Sequence, residues 1–157
     1  RRFRLLNVVD DWTRECLAME VGRSLTGRNV IAALEKIAAR RGYPTAIVSD
    51  NGPEFCSRAV DEWAHRCGIK LQFIRPGEPV ENAFIESFNG KCRDECLNER
   101  LFLTIEQARS ATETWRLDYN QVRPHSALGN LTPEDYANRT RVRNPAPTKL
   151  RLSLVEK

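Results

Sequence analysis

An α/β domain built on a mixed sheet is predicted by three features of this chain. Two apolar, β-branched segments at the start are joined by the tight turn Asp10-Asp11-Trp12, which reads as a hairpin. After it, short apolar runs alternate with longer segments of helical period. Gly and Pro punctuate the joints, as in Gly42, Gly68 and the loop Pro76-Gly77-Glu78-Pro79. The 157 residues fit one domain over 1–138 and a basic extension over 139–157.

Each element has its own warrant. Phe3–Val9 and Thr13–Val21 are the hairpin strands. Thr26–Arg41 carries Val30, Ile31, Ala33, Leu34, Ile37 and Ala38 at helical spacing, stopped by Gly42. Ala46-Ile47-Val48 is a short apolar run ending in a polar turn, the pattern of a buried parallel strand. Ser57 caps a helix to about Arg66, and Ile69–Ile74 forms a further strand. A helix is predicted over Glu81–Asn98. Another runs from Thr104 to about Gln121, where Thr104 and Gln107 have capping-box spacing. Thr132-Pro133-Glu134 opens a last short helix.

Composition narrows the classes. With 41% apolar and 29% charged residues the chain is neither disordered nor fibrous. A net charge of +4 permits an anionic polymer as partner. The segment 139–157 holds Arg139, Arg141, Arg143, Lys149, Arg151 and Lys157 against the single acid Glu156. It reads either as a tail that follows a phosphate backbone or as a plain solvated extension. Five cysteines without a CxxC exclude a disulfide framework and a structural zinc site, and two histidines exclude a His-rich metal site. No signal peptide or long apolar run is present, so the expected location is the reducing cytoplasm, with no membrane partner.

Two acids carry the chemistry. Asp50 directly follows the run Ile47-Val48-Ser49, and functional groups of α/β sheets gather at the carboxyl ends of strands. Asp-Asn-Gly is also a turn signal, so Asp50 can serve a turn. Counting 51 through 85, 35 residues separate it from Glu86, and the basic Arg93 follows at i+7. At about 100° per residue, Phe84, Ile85, Phe88, Cys92 and Cys96 share one stripe of their helix. Asn82, Glu86, Asn89, Gly90 and Arg93 share an adjacent one. Gly90 costs about 1 kcal/mol of helix propensity, which points to close packing there. Two carboxylates so placed can share a divalent cation.

Three blocks now carry a resemblance: Ser49-Asp50-Asn51-Gly52-Pro53-Glu54-Phe55; Asn82-Ala83-Phe84-Ile85-Glu86-Ser87-Phe88-Asn89-Gly90 with Arg93; and Tyr119-Asn120-Gln121-Val122-Arg123-Pro124-His125-Ser126-Ala127-Leu128 followed by Thr132-Pro133-Glu134. Over roughly residues 3 to 138 the chain resembles the catalytic core of insertion-sequence transposases of the IS-three group, in the retroviral-integrase (DDE) superfamily. The resemblance implies an RNase H-like fold and DNA cleavage and strand transfer at two Mg²⁺ or Mn²⁺ ions. It makes Asp50 and Glu86 metal ligands and catalytic residues, and puts Arg93 on DNA. Lys91, Asn82, Arg123 and His125 are further candidates for DNA contact. Implied partners are DNA (element ends and target) and a second copy of the chain, with no small-molecule substrate.

The departure from the family matters as much. The family's first aspartate lies on a strand upstream of the hairpin that begins here at Phe3, and no segment of this sequence matches that strand. Asp10 and Asp11 sit in the hairpin turn and are not replacements. The expectation is a sheet without its first, central strand and a site lacking one ligand of three. Weak metal binding and negligible catalysis follow for these 157 residues; the hairpin sliding in beside 46–49, a second copy, or upstream residues would complete the sheet, with self-association the favoured expectation. The alternative function is a non-catalytic DNA-binding or assembly module.

Overall fold

The alternation of apolar residues along the hairpin sends Leu6 and Val8 to one side of a sheet and Leu5 and Val9 to the other, and two layers of helices cover those faces. The computed structural model describes residues 2–75, 79–141 and 148–157, with the backbone alone at 79–82 and 141. Its elements are β1 (Arg4–Asp10), β2 (Cys16–Gly22), α1 (Gly27–Arg41), β3 (Ala46–Ser49), α2 (Arg58–Cys67), β4 (Lys70–Phe73), α3 (Pro79–Cys92), α4 (Ile105–Gln121), α5 (Pro133–Arg141) and β5 (Lys149–Glu156). The five-stranded sheet has the order β2-β1-β5-β3-β4. β1 is antiparallel to both its neighbours, whereas β3 is parallel to β5 and β4.

One face of the sheet buries Val30, Leu34 and Ile37 of α1 and Val60 and Trp63 of α2 against Leu6, Val8, Ile47, Leu150 and Leu152. The other buries Ile85, Phe88 and Cys92 of α3 and Trp115 and Tyr119 of α4 against Leu5, Val9 and Val155. Phe88 meets Trp115 and Tyr119 edge-on at centroid distances of 5.4 and 5.1 Å, the geometry that aromatic quadrupoles favour. Trp63 and Trp115 are core residues; Trp12 stays half exposed in the hairpin turn.

Local signals act where the sequence places them. The Ser57 hydroxyl accepts from the Val60 amide at 3.3 Å and that of Thr104 from the Gln107 amide at 3.1 Å. Gly68 ends α2 with a left-handed φ of 70°. The helix expected over 81–98 is α3 continued by one wider, π-type turn, Arg93–Leu97. Of the expected loop, residues 76–78 lie outside the described residues, and Pro79 begins α3.

The extension expected over 139–157 is corrected in its second half. Lys149–Glu156 is not a tail but the central strand of the sheet, paired with β1 from Arg4↔Glu156 to Asp10↔Leu150. The reason is a period of two: Leu150, Leu152 and Leu154 face α1 and α2, and Ser153 and Val155 face α3 and α4. Arg151 does not follow a polyanion freely, since it is ion-paired with Asp11 of the hairpin turn. Arg141 and Arg143 lie outside the described side chains. The central position left empty by the resemblance is therefore held by this chain's own last strand. Neither a sliding hairpin nor a second copy is needed to fill it.

Candidate functional site

Asp50 stands one residue beyond β3, where the strand hands over to a turn. Its Oδ1 accepts the Gly52 amide at 2.8 Å, so it serves the turn as well as standing exposed at the strand end. A Cβ at Gly52 would stand 3.0 Å from Asp50 Oδ1 and 3.3 Å from Glu54 Oε2, so a side chain there would press both carboxylates aside by a few tenths of an ångström. Glu54 is tied to Arg4 at 2.5 Å, yet its Oε2 is buried without a partner.

Glu86 is exposed on α3, one turn before Asn89. The Asn89 side chain plugs into the sheet, where its Oδ1 accepts from Asn7 Nδ2 and from the Ser153 hydroxyl, both at 3.1 Å. Asn7 and Ser153 are register partners on β1 and β5. The α3 face of the sheet thus carries a small polar island inside an apolar layer, edged by Glu86. Continuing the β3–β5 register past Val48↔Arg151 brings Asp50 level with Ser153, on the same face. Asn7 is fully buried and its Oδ1 has no partner. A buried acceptor without a donor is costly, and a cation satisfies it as well as a donor does.

The donor set is hard oxygen throughout, which fits Mg²⁺ or Mn²⁺ and not a soft metal. Asp50 and Glu86 would hold such an ion. The charge is short, however: among the described residues no group of three His, Cys, Asp or Glu is placed to hold a metal ion. Asp10 does not supply the third: it is buried, its Oδ1 accepts from the amides of Trp12 and Thr13, and its Oδ2 lies 3.9 Å from Arg41 of α1, the helix on the opposite face from α3.

The basic candidates divide. Arg93 is exposed at the start of the π-type turn. The Asn82 side chain lies outside the described residues. Lys91, Arg123 and His125 border one cleft of ≈ 550 Å³ between α3, α4 and the 123–127 loop, walled by Phe84, Phe88 and Tyr119. Arg123 is compensated by Glu95 and by Asp118 at 2.8 Å, whereas Lys91 is exposed and has no ion-pair partner among the described residues. His125 is half-buried with Nε2 unpartnered; burial, then the cations Lys91, Arg123 and Arg14, push its pKa below the ordinary 6.5.

Arg14 was not singled out from the sequence. It holds a left-handed φ of 65°, lines the same cleft, and lays its guanidinium over the Phe84 ring at 3.8 Å. Ser153 and Asn7 were missed too. Nothing local marks them, since their meeting with Asn89 spans 64 and 82 residues of chain.

A chain with one acid at a strand end, another on the covering helix α3 and a basic cleft beside that helix has relatives. Models described as integrase core domain match residues 1–79 and 67–133. The chain belongs to the integrase core domain family. It is similar to the "Insertion element IS407 uncharacterized 31.7 kDa protein" of Burkholderia multivorans, 50% identical over 94% of this chain and 53% of that protein. It is 27% identical to "Transposase InsF for insertion sequence IS3A" of Escherichia coli, over 84% of this chain and 47% of the other. The chain spans about half the length of these relatives.

Among solved structures, the catalytic core domain of BIV integrase aligns at TM-score 0.65 and 20% identity, over 88% of each chain. The HTLV-2 integrase catalytic core domain in complex with magnesium aligns at TM-score 0.55 and 22% identity, over 83% and 82%. These likenesses fix an RNase H-like integrase fold. Among the described residues no helix is long and apolar enough to cross a membrane.

Proposed function

We propose that this chain is the core portion of a DNA transposase, a metal-dependent enzyme of phosphodiester cleavage and strand transfer. The observation that carries the reading is the placement of Asp50, at the carboxyl end of a parallel strand, on the sheet face that α3 covers and Glu86 edges. The transposase name of the InsF relative and the magnesium of the HTLV-2 core support it. Asp50 and Glu86 hold the divalent cation and are the catalytic carboxylates. A cation bound there supplies Lewis-acid activation of a water or 3′-hydroxyl and charge compensation at the leaving oxygen. Arg93 and Lys91 fix the DNA backbone, Arg123 and His125 line the adjoining cleft, and Asn82, one turn before Glu86, contacts the strand. DNA ends and target are the substrates, and the active form is an oligomer, as the dimeric and trimeric forms of the HTLV-2 core suggest.

For the 157 residues alone, two carboxylates in place of three mean weak metal binding and negligible catalysis. That shortfall favours, for this piece by itself, the second reading of a non-catalytic DNA-binding or assembly module. The experiment is Mn²⁺-dependent nicking and strand transfer by these 157 residues and by the longer protein. The reading expects activity only in the longer protein, abolished by Asp50→Asn and by Glu86→Gln. Activity that survives both substitutions defeats it.

A further inference from the structure

We infer that the cleft between α3, α4 and the 123–127 loop holds one unpaired nucleotide of a DNA strand, which reaches it by crossing α3 over Gly90. The placement rests on the reading of DNA as substrate and adds to it a form of DNA, an unpaired end, and the surface that takes it.

Gly90 points the way. Its cost to the helix suggested close packing, yet a Cβ built there meets nothing within 4 Å. The glycine leaves the helix surface low without a neighbour of this chain to fill it, which suits the close approach of a ligand. At about 100° per residue, Gly90, Ala83 and Ser87 stand about 40°, 60° and 100° round α3 from Glu86, and Lys91 and Phe84 follow at about 140° and 160°. The ridge between the acid and the cleft is thus a glycine, an alanine and a serine, with Ala83 and Ser87 exposed. On a helix about 10 Å across, the path from Glu86 to Lys91 is about 12 Å long.

The cleft itself suits a planar group with one negative charge. Its ≈ 550 Å³ is walled by the rings of Phe84, Phe88 and Tyr119. The Arg14 guanidinium lies 3.8 Å above the Phe84 ring, and bases stack on aromatic rings and on guanidinium planes alike. Arg14 is held there by the hairpin turn, with a left-handed φ of 65° and its amide donating to the Asp10 carbonyl at 3.0 Å. Around the walls stand groups that read a base edge: the hydroxyls of Ser87 and Ser126, and His125 Nε2, buried without a partner. In a duplex those base edges are occupied by the opposite strand, so only an unpaired base can use them. Lys91, exposed and without an ion-pair partner among the described residues, is left for the phosphate. Glu95 lines the cleft too and already compensates Arg123, so the lining offers charge for one phosphate and not for several.

The test is fluorescence anisotropy of the 157-residue chain in EDTA, which keeps divalent cations out of the comparison. A blunt duplex is compared with the same duplex carrying a short overhang at its 3′ or its 5′ end. The native chain is expected to bind one overhanging form at least about fivefold more tightly than the blunt one. Arg14→Gly suits the left-handed backbone and Gly90→Leu favours the helix, so both variants keep the fold. Each is expected to bring the overhanging DNA down to the affinity of the blunt duplex. 2-Aminopurine in the overhang, quenched where it stacks, is expected to dim on the native chain and to stay bright with Arg14→Gly.

Equal affinity for blunt and overhanging DNA overturns the inference, as does a preference that survives both variants. If Lys91→Ala then still weakens binding of the blunt duplex, the DNA reading stands without the cleft. No binding of either DNA, by this chain or by the longer protein, overturns the two together.

Discussion

A chain ending at residue 148 separates a structural strand from a dispensable tail. β5 buries Leu150, Leu152 and Val155 to 1%, 3% and 0% exposure. At about 1.5–3 kcal/mol for each fully buried aliphatic side chain, their loss costs about 5–9 kcal/mol. The ladders to β1 and β3 are lost in addition, leaving backbone groups of both strands unpaired. Whole domains are stable by only about 5–15 kcal/mol, so the shortened chain is expected to be unfolded or molten at 25 °C. Far-UV circular dichroism and urea titration measure this. A graded version is Leu152→Ala, expected to lower unfolding free energy by about 2–5 kcal/mol. A shortened chain with the native urea midpoint would falsify the placement of β5.

Three further outcomes are expected. His125 has a lowered pKa in the folded state, caused by burial and then by Lys91, Arg123 and Arg14, so below the ordinary 6.5 the unfolded chain binds the extra proton. Stability therefore falls as pH drops through that value and levels off below the folded pKa; urea midpoints against pH should show a downward step that His125→Gln removes. Burial pushes the Cys92 thiol up to about 12 and raises that of Cys16, while Cys56 is exposed. Iodoacetamide followed by mass spectrometry should label Cys56 in the native chain and Cys16 and Cys92 only after unfolding. Lys91→Ala should weaken DNA binding and reduce the slope of log affinity against log salt by about one. Arg123→Ala should change that slope less, because Glu95 and Asp118 already compensate its charge.

The elements that could be read from sequence are those whose signals are local. Thr104 and Ser57 cap their helices because their hydroxyls meet amides three residues on. Ile85, Phe88, Cys92 and Cys96 are buried as their spacing on one stripe requires, although Phe84 is only half-buried. Asp50 was legible because an apolar run and a turn sequence bracket it. β5 was not, because Lys149, Arg151 and Lys157 gave the segment a charge that outweighed the alternation of Leu150, Leu152 and Leu154. Its two faces acquire meaning only from neighbours about 100 to 150 residues away in sequence. The island of Asn7, Asn89 and Ser153 was hidden for the same reason. Each residue is ordinary in its own segment, and only the register of two strands and the docking of one helix make them a group.

The chain position of β5 has a consequence for how the molecule is made. β1 is paired on one side by β2 within a few residues of chain, but its other edge pairs with Lys149–Glu156, about 140 residues further on. Until Lys149–Glu156 has been made, β1 and β3 each keep an open edge, and both are apolar on two faces. Open edges of that kind template wrong partners, including the same strand of a neighbouring nascent chain. Closure is also a contact between nearly opposite ends of the sequence, with Arg4 paired to Glu156, which makes it slow. The sheet should therefore close only when β5 is available to join two halves that are not paired with each other directly.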